Sequence, residues 1–187
     1  VSNDFKITLE QIDRSAKSII LANPNATTGI FLSRKKIETY LSANPNKLLV
    51  VDEAYVDFGG SSCIPLTKRF DNLLVIQTFS KSRALAGIRL GFAIGNVNLI
   101  EALSRVKNSF NTYPVDRLAA QAGIASIKDN YWFKSNIAQV VKNRAFLTRN
   151  LKKIGFEVID SKTNFLLASH NDINAKQIFD VLKENKI

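Results

Sequence analysis

The chain has 187 residues, 45% of them hydrophobic and 22% charged, which describes an ordinary globular protein with apolar surface for one sizeable core or two small ones. A lone cysteine, Cys63, excludes an internal disulfide and a lone histidine, His170, argues against a metal site. No apolar stretch approaches the roughly 20 residues needed to span a membrane, and the N-terminus VSNDFKITLEQID lacks the basic-then-apolar pattern of a secretory signal, so a cytoplasmic location is expected. The net charge of +10 is spread along the chain with acids interleaved. It reads as solvated surface, or as a preference for phosphorylated small molecules, and not as nucleic-acid binding, for which no aromatic-basic signature is present.

Thr8 and Gln11 form a candidate capping box for a short helix carrying Leu9, Ile12 and Ala16. The apolar run Ser18–Ala22 follows, then the turn-rich NPNATTG (residues 23–29). Ser33 is a good N-cap for a helix burying Ile37, Tyr40 and Leu41 and stopping near Asn44-Pro45. Two further runs, residues 47–51 and 72–79, end in DEAYVDF and in Ser80-Lys81. Short apolar runs separated by helical segments predict βαβ units and a largely parallel sheet. The run GFAIG (residues 91–95) lies too close to its predecessor for a parallel crossover and is expected to be antiparallel. Long helical patterns cover residues 115–129 and 131–154, followed by two short strands, FEVI and NFLLA, and a final helix from about Asn174. A boundary at NTYPVD (residues 111–116) would divide the chain, leaving a small α+β unit at its end. Tyr113 is read as packing, Trp132 as core or interdomain contact, Cys63 as an inert side chain and His170 as a surface loop residue.

Ligands of an open α/β sheet bind outside the carboxyl ends of its strands. The stretches NPNATTG, DEAY and FSK each follow an apolar run directly, so all three can meet on one edge. Asp52 brings a carboxylate there, Tyr55 a phenol, Ser80 a hydroxyl and Arg89 a guanidinium suited to phosphate. Lys81, desolvated among them, could form a Schiff base. An acid for a pyridinium nitrogen, a lysine for an aldehyde and an arginine for a phosphate describe a pyridoxal phosphate site. From spacing alone, Lys81 and Arg89 could equally be solvated loop residues. Glu53, beside Asp52, points to the other face of its strand and is given no catalytic role.

The stretch SKSRALAGIRLG (residues 80–91) resembles the cofactor-lysine signature of the fold type I, aspartate-aminotransferase-like pyridoxal phosphate enzymes, and VDEAYVDF resembles their aspartate-bearing stretch. Together with NPNATTGI, YPVDRLAAQAGIASIKD and TNFLLA, the pattern most resembles the histidinol-phosphate aminotransferase branch; threonine-phosphate decarboxylase, aromatic aminotransferase and the ligand-sensing domain of a transcription regulator are its rivals. The resemblance implies an α/β fold, with residues 1–112 forming the C-terminal part of a large cofactor-binding domain built on a mostly parallel sheet. Residues 113–187 would form part of a small domain.

It also implies that Lys81 is catalytic and holds pyridoxal 5'-phosphate, Asp52 faces the ring nitrogen, Tyr55 the ring 3-oxygen, and Ser80 and Arg89 the phosphate. Phosphorylated amine and 2-oxo acid substrates and a homodimeric full-length protein follow from the same resemblance. The family's usual Asn-Pro-Thr-Gly is Ala26-Thr27-Thr28-Gly29 here, so the 3-oxygen-binding asparagine is an alanine. No arginine follows the NF strand near Ser169 and His170, and the chain is about half the family length. It is therefore expected to be a fragment without turnover of its own.

Overall fold

The computed structural model describes residues 5, 7–9 and 15–187. Most of the helix expected from Thr8 lies outside the described residues. Four short apolar runs become strands β1 (Ser18–Ala22), β2 (Leu48–Asp52), β3 (Leu73–Thr78) and β4 (Gly91–Gly95), hydrogen-bonded in that order. The first three are parallel and β4 is antiparallel to β3, as the short connection before it requires. Helix α1 (Arg34–Ala43) makes the first crossover, capped at its start by Ser33, whose side chain accepts from the Lys36 N–H. The second crossover has no α-helix; two 3-10 turns, Val56–Phe58 and Ile64–Lys68, carry it.

Strand alternation decides which face is core. Leu21, Leu49, Val51, Leu73 and Val75 pack against Ile37 and Leu41 of α1 and against Cys63 and Leu66. Neighbours along each strand turn the other way: Ile20 is 78% exposed, and Val50, Asp52 and Ile76 are half-buried. Parallel sheets ordinarily carry cover on both faces. Among the described residues this sheet is well covered on one, and Asp52 stands on the open one.

Beyond the sheet come α2 (Val97–Phe110), packed on β4, then α3 (Arg117–Lys128) and α4 (Asn130–Lys153). Asp116 and Asp129 cap α3 and α4 by accepting from the N–H groups of Ala119 and Trp132. Strands β5 (Phe156–Val158) and β6 (Ala168–His170) pair antiparallel, and α5 (Ala175–Glu184) opens on an Asn174–Gln177 capping box. Helix α2 is additional to the expected elements. Its signals are Asn96, which caps it by accepting from the Asn98 N–H, and the spacing of Ile100, Leu103, Val106 and Phe110.

Four expectations about elements and packing are corrected. Tyr113, read as packing, is 83% exposed. The strand expected over residues 164–168 begins only at Ala168, because the hydroxyls of Ser161 and Thr163 both donate to the Phe165 carbonyl and Thr163 Oγ1 accepts the Phe165 N–H. These local bonds replace the ladder. Trp132 is 45% exposed rather than core. His170 lies in β6, edge-on to Phe156 with ring centroids 5.1 Å apart, rather than in a loop.

Cys63 is fully buried and its N–H donates to Glu53 Oε1. Burial first, then the adjacent Glu53 carboxylate, pushes the thiol up to about 12. The unfolded chain would ionise this thiol near pH 8.5. Its contribution to stability is therefore complete below about pH 8.5 and is lost as pH rises toward the folded value. An aromatic disulfide reagent at pH 8 should leave Cys63 unmodified until urea unfolds the protein, while labelling of the native state at the unfolded rate would contradict this burial.

Candidate active site

Because β1, β2 and β3 are parallel, their carboxyl ends share an edge; Ala22 lies opposite Asp52, and Asp52 opposite Ile76. The ladder runs past the strand ends, with the Asn23 N–H donating to Asp52 O (2.8 Å) and the Glu53 N–H to Ile76 O (2.9 Å). The three loops that carry the motifs therefore leave from neighbouring points. In the first, buried Asn23 closes the turn by donating to Leu32 O and accepting from Leu32 N–H. Asn25 Oδ1 accepts from the N–H groups of Thr27 and Thr28 and from the Thr28 hydroxyl, so that oxygen is committed to the turn; Ala26 is exposed.

The second loop separates two carboxylates by face. Asp52 is half-buried on the open face and accepts the Ala54 N–H at 3.0 Å. Glu53, 2% exposed, points into the core and accepts from Ser62 Oγ, Cys63 N–H and Gln77 Nε2. Tyr55 follows, its ring beneath the Lys81 amine, with Nζ 5.4 Å from the centroid. Phe165 meets the same ring edge-on at 5.2 Å.

In the third loop, Thr78 Oγ1 donates to Ser80 Oγ (3.0 Å) and accepts the Ser80 N–H (3.1 Å). Lys81 is exposed, as in the solvated-loop alternative that spacing left open; no residue of this chain closes over it among those described. Arg89 lies two residues before Gly91, the partner of Thr78, and so returns to the end of β3 beside Ser80. Its backbone is left-handed (φ +53°), and its guanidinium is exposed with one bond to Ala86 O. The edge thus gathers Asp52, Tyr55, Ser80, Lys81 and Arg89; the contact drawn between two of them is that of Lys81 with Tyr55.

Several residues that hold this edge carried no signal in the sequence. Ser82 Oγ donates to Asp57 Oδ2. Arg83 donates to Ser126 O and lies 4.1 Å from the Phe133 ring centroid, tying the lysine loop to α3 and α4. Arg144, on α4, donates to Phe58 O and Thr163 O; burial lowers its guanidinium from the ordinary arginine value, with Asp160 opposing. The segment around Ser161 lies on Gly29, and the Lys162 N–H donates to Gly29 O at 2.8 Å.

The sequence pattern described as aminotransferase class I and II matches residues 1–187. The chain belongs to that family. It is 50% identical over 183 residues to histidinol-phosphate aminotransferase 1 of Bradyrhizobium diazoefficiens, covering 98% of this chain and 52% of that protein. It is 47% identical over 187 residues to the histidinol-phosphate aminotransferase of Lactococcus lactis subsp. lactis, covering 100% of this chain and 52% of that one. The crystal structure of histidinol-phosphate aminotransferase from Sinorhizobium meliloti in complex with pyridoxal-5'-phosphate matches with a TM-score of 0.80 and 26% identity, over 91% of this chain and 47% of the other. The fold is the α/β architecture of the pyridoxal-phosphate-dependent fold type I aminotransferases. The chain spans about half the length of the curated relatives it matches.

Gly29 has φ +76°, and a Cβ there would collide with the Ser161 side chain. Gly29→Ala should therefore destabilise by about 1–3 kcal/mol in urea denaturation. Gly87→Ala, where a Cβ meets nothing within 4 Å, should stay within about 0.5 kcal/mol.

Proposed function

We propose that the full-length protein carrying this chain is a pyridoxal-phosphate-dependent transaminase of histidine biosynthesis. It would pass an amino group between L-histidinol phosphate plus 2-oxoglutarate and imidazole acetol phosphate plus glutamate. The observation that carries this reading is the Lys81 amine poised over the Tyr55 ring at the shared edge of three parallel strands. The donor set fits the cofactor: a primary amine, a phenol, a strand-end carboxylate on an open face, and a hydroxyl with a guanidinium beside one strand end.

Bound pyridoxal phosphate supplies an electron-withdrawing ring that stabilises the charge left on the substrate Cα when its proton departs. Lys81 Nζ would hold the cofactor through its aldehyde carbon and, once released by the substrate amine, would carry the proton between the substrate Cα and the cofactor's C4′ carbon. The Asp52 carboxylate holds the proton on the ring nitrogen. The Tyr55 hydroxyl donates to the ring oxygen, and Ser80 Oγ and the Arg89 guanidinium grip the phosphate. A phosphorylated amine and a 2-oxo acid are the substrates, and the assembly is a cytoplasmic homodimer. Residues 1–112 belong to the large cofactor-binding domain and 113–187 to the small one. No helix among the described residues is long and apolar enough to cross a membrane.

Two experiments test the reading. Borohydride reduction of the full-length protein with pyridoxal phosphate, followed by peptide mapping, should place the label on Lys81. Lys81→Ala should lose the label and at least about 10²-fold in kcat for glutamate formation from L-histidinol phosphate. A label on another lysine, or an active Lys81→Ala variant, would end the proposal. The 187-residue chain alone, with Lys81 exposed and one sheet face open, should show no turnover in the same assay.

A further inference from the structure

We infer that Ser82 and Asp57 form a positioning pair that holds the Lys81 amine over Tyr55; this role rests on the function proposed above. Ser82 directly follows Lys81 and is 1% exposed, and its Oγ donates to Asp57 Oδ2 at 2.5 Å. Asp57 lies in the 3-10 turn Val56–Phe58 that begins immediately after Tyr55. One hydroxyl–carboxylate bond therefore joins the residue after the amine to the turn that carries the ring, across 25 positions of sequence. Charge assistance makes such a bond shorter and stronger than a neutral one.

The remaining side chains of the loop turn elsewhere. Ser80 is bonded to Thr78, and Arg83 reaches Ser126 and Phe133. Behind Lys81, the Ala84 N–H donates to the Lys81 carbonyl at 3.0 Å, with Ala84 in the left-handed region at φ +55°. Within this frame the Ser82–Asp57 bond is the one side-chain hydrogen bond described between the lysine loop and the tyrosine loop. Without it the two loops keep their strands but lose the link that sets the amine against the ring. Small displacements of a reacting group are costly in rate. Neither Ser82 nor Asp57 is given contact with substrate.

The test uses the full-length protein loaded with pyridoxal phosphate. Ser82→Ala and Asp57→Ala should each lower kcat about 10- to 100-fold while changing KM less than about threefold. Both should also shift the pH midpoint of the cofactor's visible absorption band. Asp57→Asn, which keeps an acceptor oxygen, should recover most of kcat and the wild-type midpoint. The double variant Ser82→Ala/Asp57→Ala should be no worse than either single one, because both remove the same bond. A wild-type protein with no reducible link at Lys81 overturns the proposed function and this role together. A wild-type link at Lys81, with the single variants unchanged in kcat and midpoint or with additive losses, overturns the positioning role alone. If Ser82→Ala does not fold, the alanine and asparagine variants of exposed Asp57 decide between the same two outcomes.

Discussion

The register of three parallel strands is the constraint on which the site depends. Ala22, Asp52 and Ile76 lie level across the sheet, so the loops after them must leave side by side, whatever their separation in sequence. A cation over an aromatic ring at an exposed site contributes only about 0.5–1 kcal/mol, less than the roughly 1.5–2 kcal/mol of rotamer freedom that an immobilised lysine gives up. The Lys81–Tyr55 contact therefore does not hold the loops together. The backbone around Lys81 is fixed by Ser80, Ser82, Arg83 and Ala84, and this frame, not the contact itself, sets the amine against the ring.

The same strand geometry gives two adjacent carboxylates different work. Glu53 turns into the core, where three donors satisfy it and where its charge helps keep Cys63 protonated. A buried carboxylate with that many donors is a structural hub, and removing it would strand Ser62, the Cys63 N–H and Gln77. Asp52 turns to the open face with one backbone donor, leaving acceptor capacity unspent. Period-two alternation alone separates them.

Strands, their direction and the cap at Ser33 were legible because each rests on local pattern: a short apolar run, a short connection, an oxygen-bearing residue before a helix. Convergence of Asp52, Tyr55, Ser80, Lys81 and Arg89 on one edge was legible too, since it needs only strand order and direction. The start of β6 was not, because the hydroxyls of Ser161 and Thr163 capture the Phe165 backbone and no apolar pattern records that competition. The exposure of Lys81 was equally hidden; desolvation is a property of whatever covers the open face, and no residue type in the loop encodes it. The contacts of Ser82, Arg83 and Arg144 are tertiary pairings over 19 to 86 positions, beyond the reach of spacing arguments.

Those long pairings bear on how the two ends of the chain cooperate. The change of character at residues 111–116 suggests separable parts, yet several ties cross it, Arg83 to Ser126 and Phe133 among them. Arg144 of α4 bonds the carbonyls of Phe58 and Thr163, Ser161 fills the space that a side chain at position 29 would need, and Phe165 braces the ring under Lys81. Arg144 is partly desolvated, so losing either carbonyl would leave a charged donor without its partner. These ties end on the tyrosine loop, on the loop after β1 and, through Arg83, on the lysine loop. The C-terminal part is thus tied to the three loops that carry the candidate site, of whose residues Asp52 alone lies within a strand.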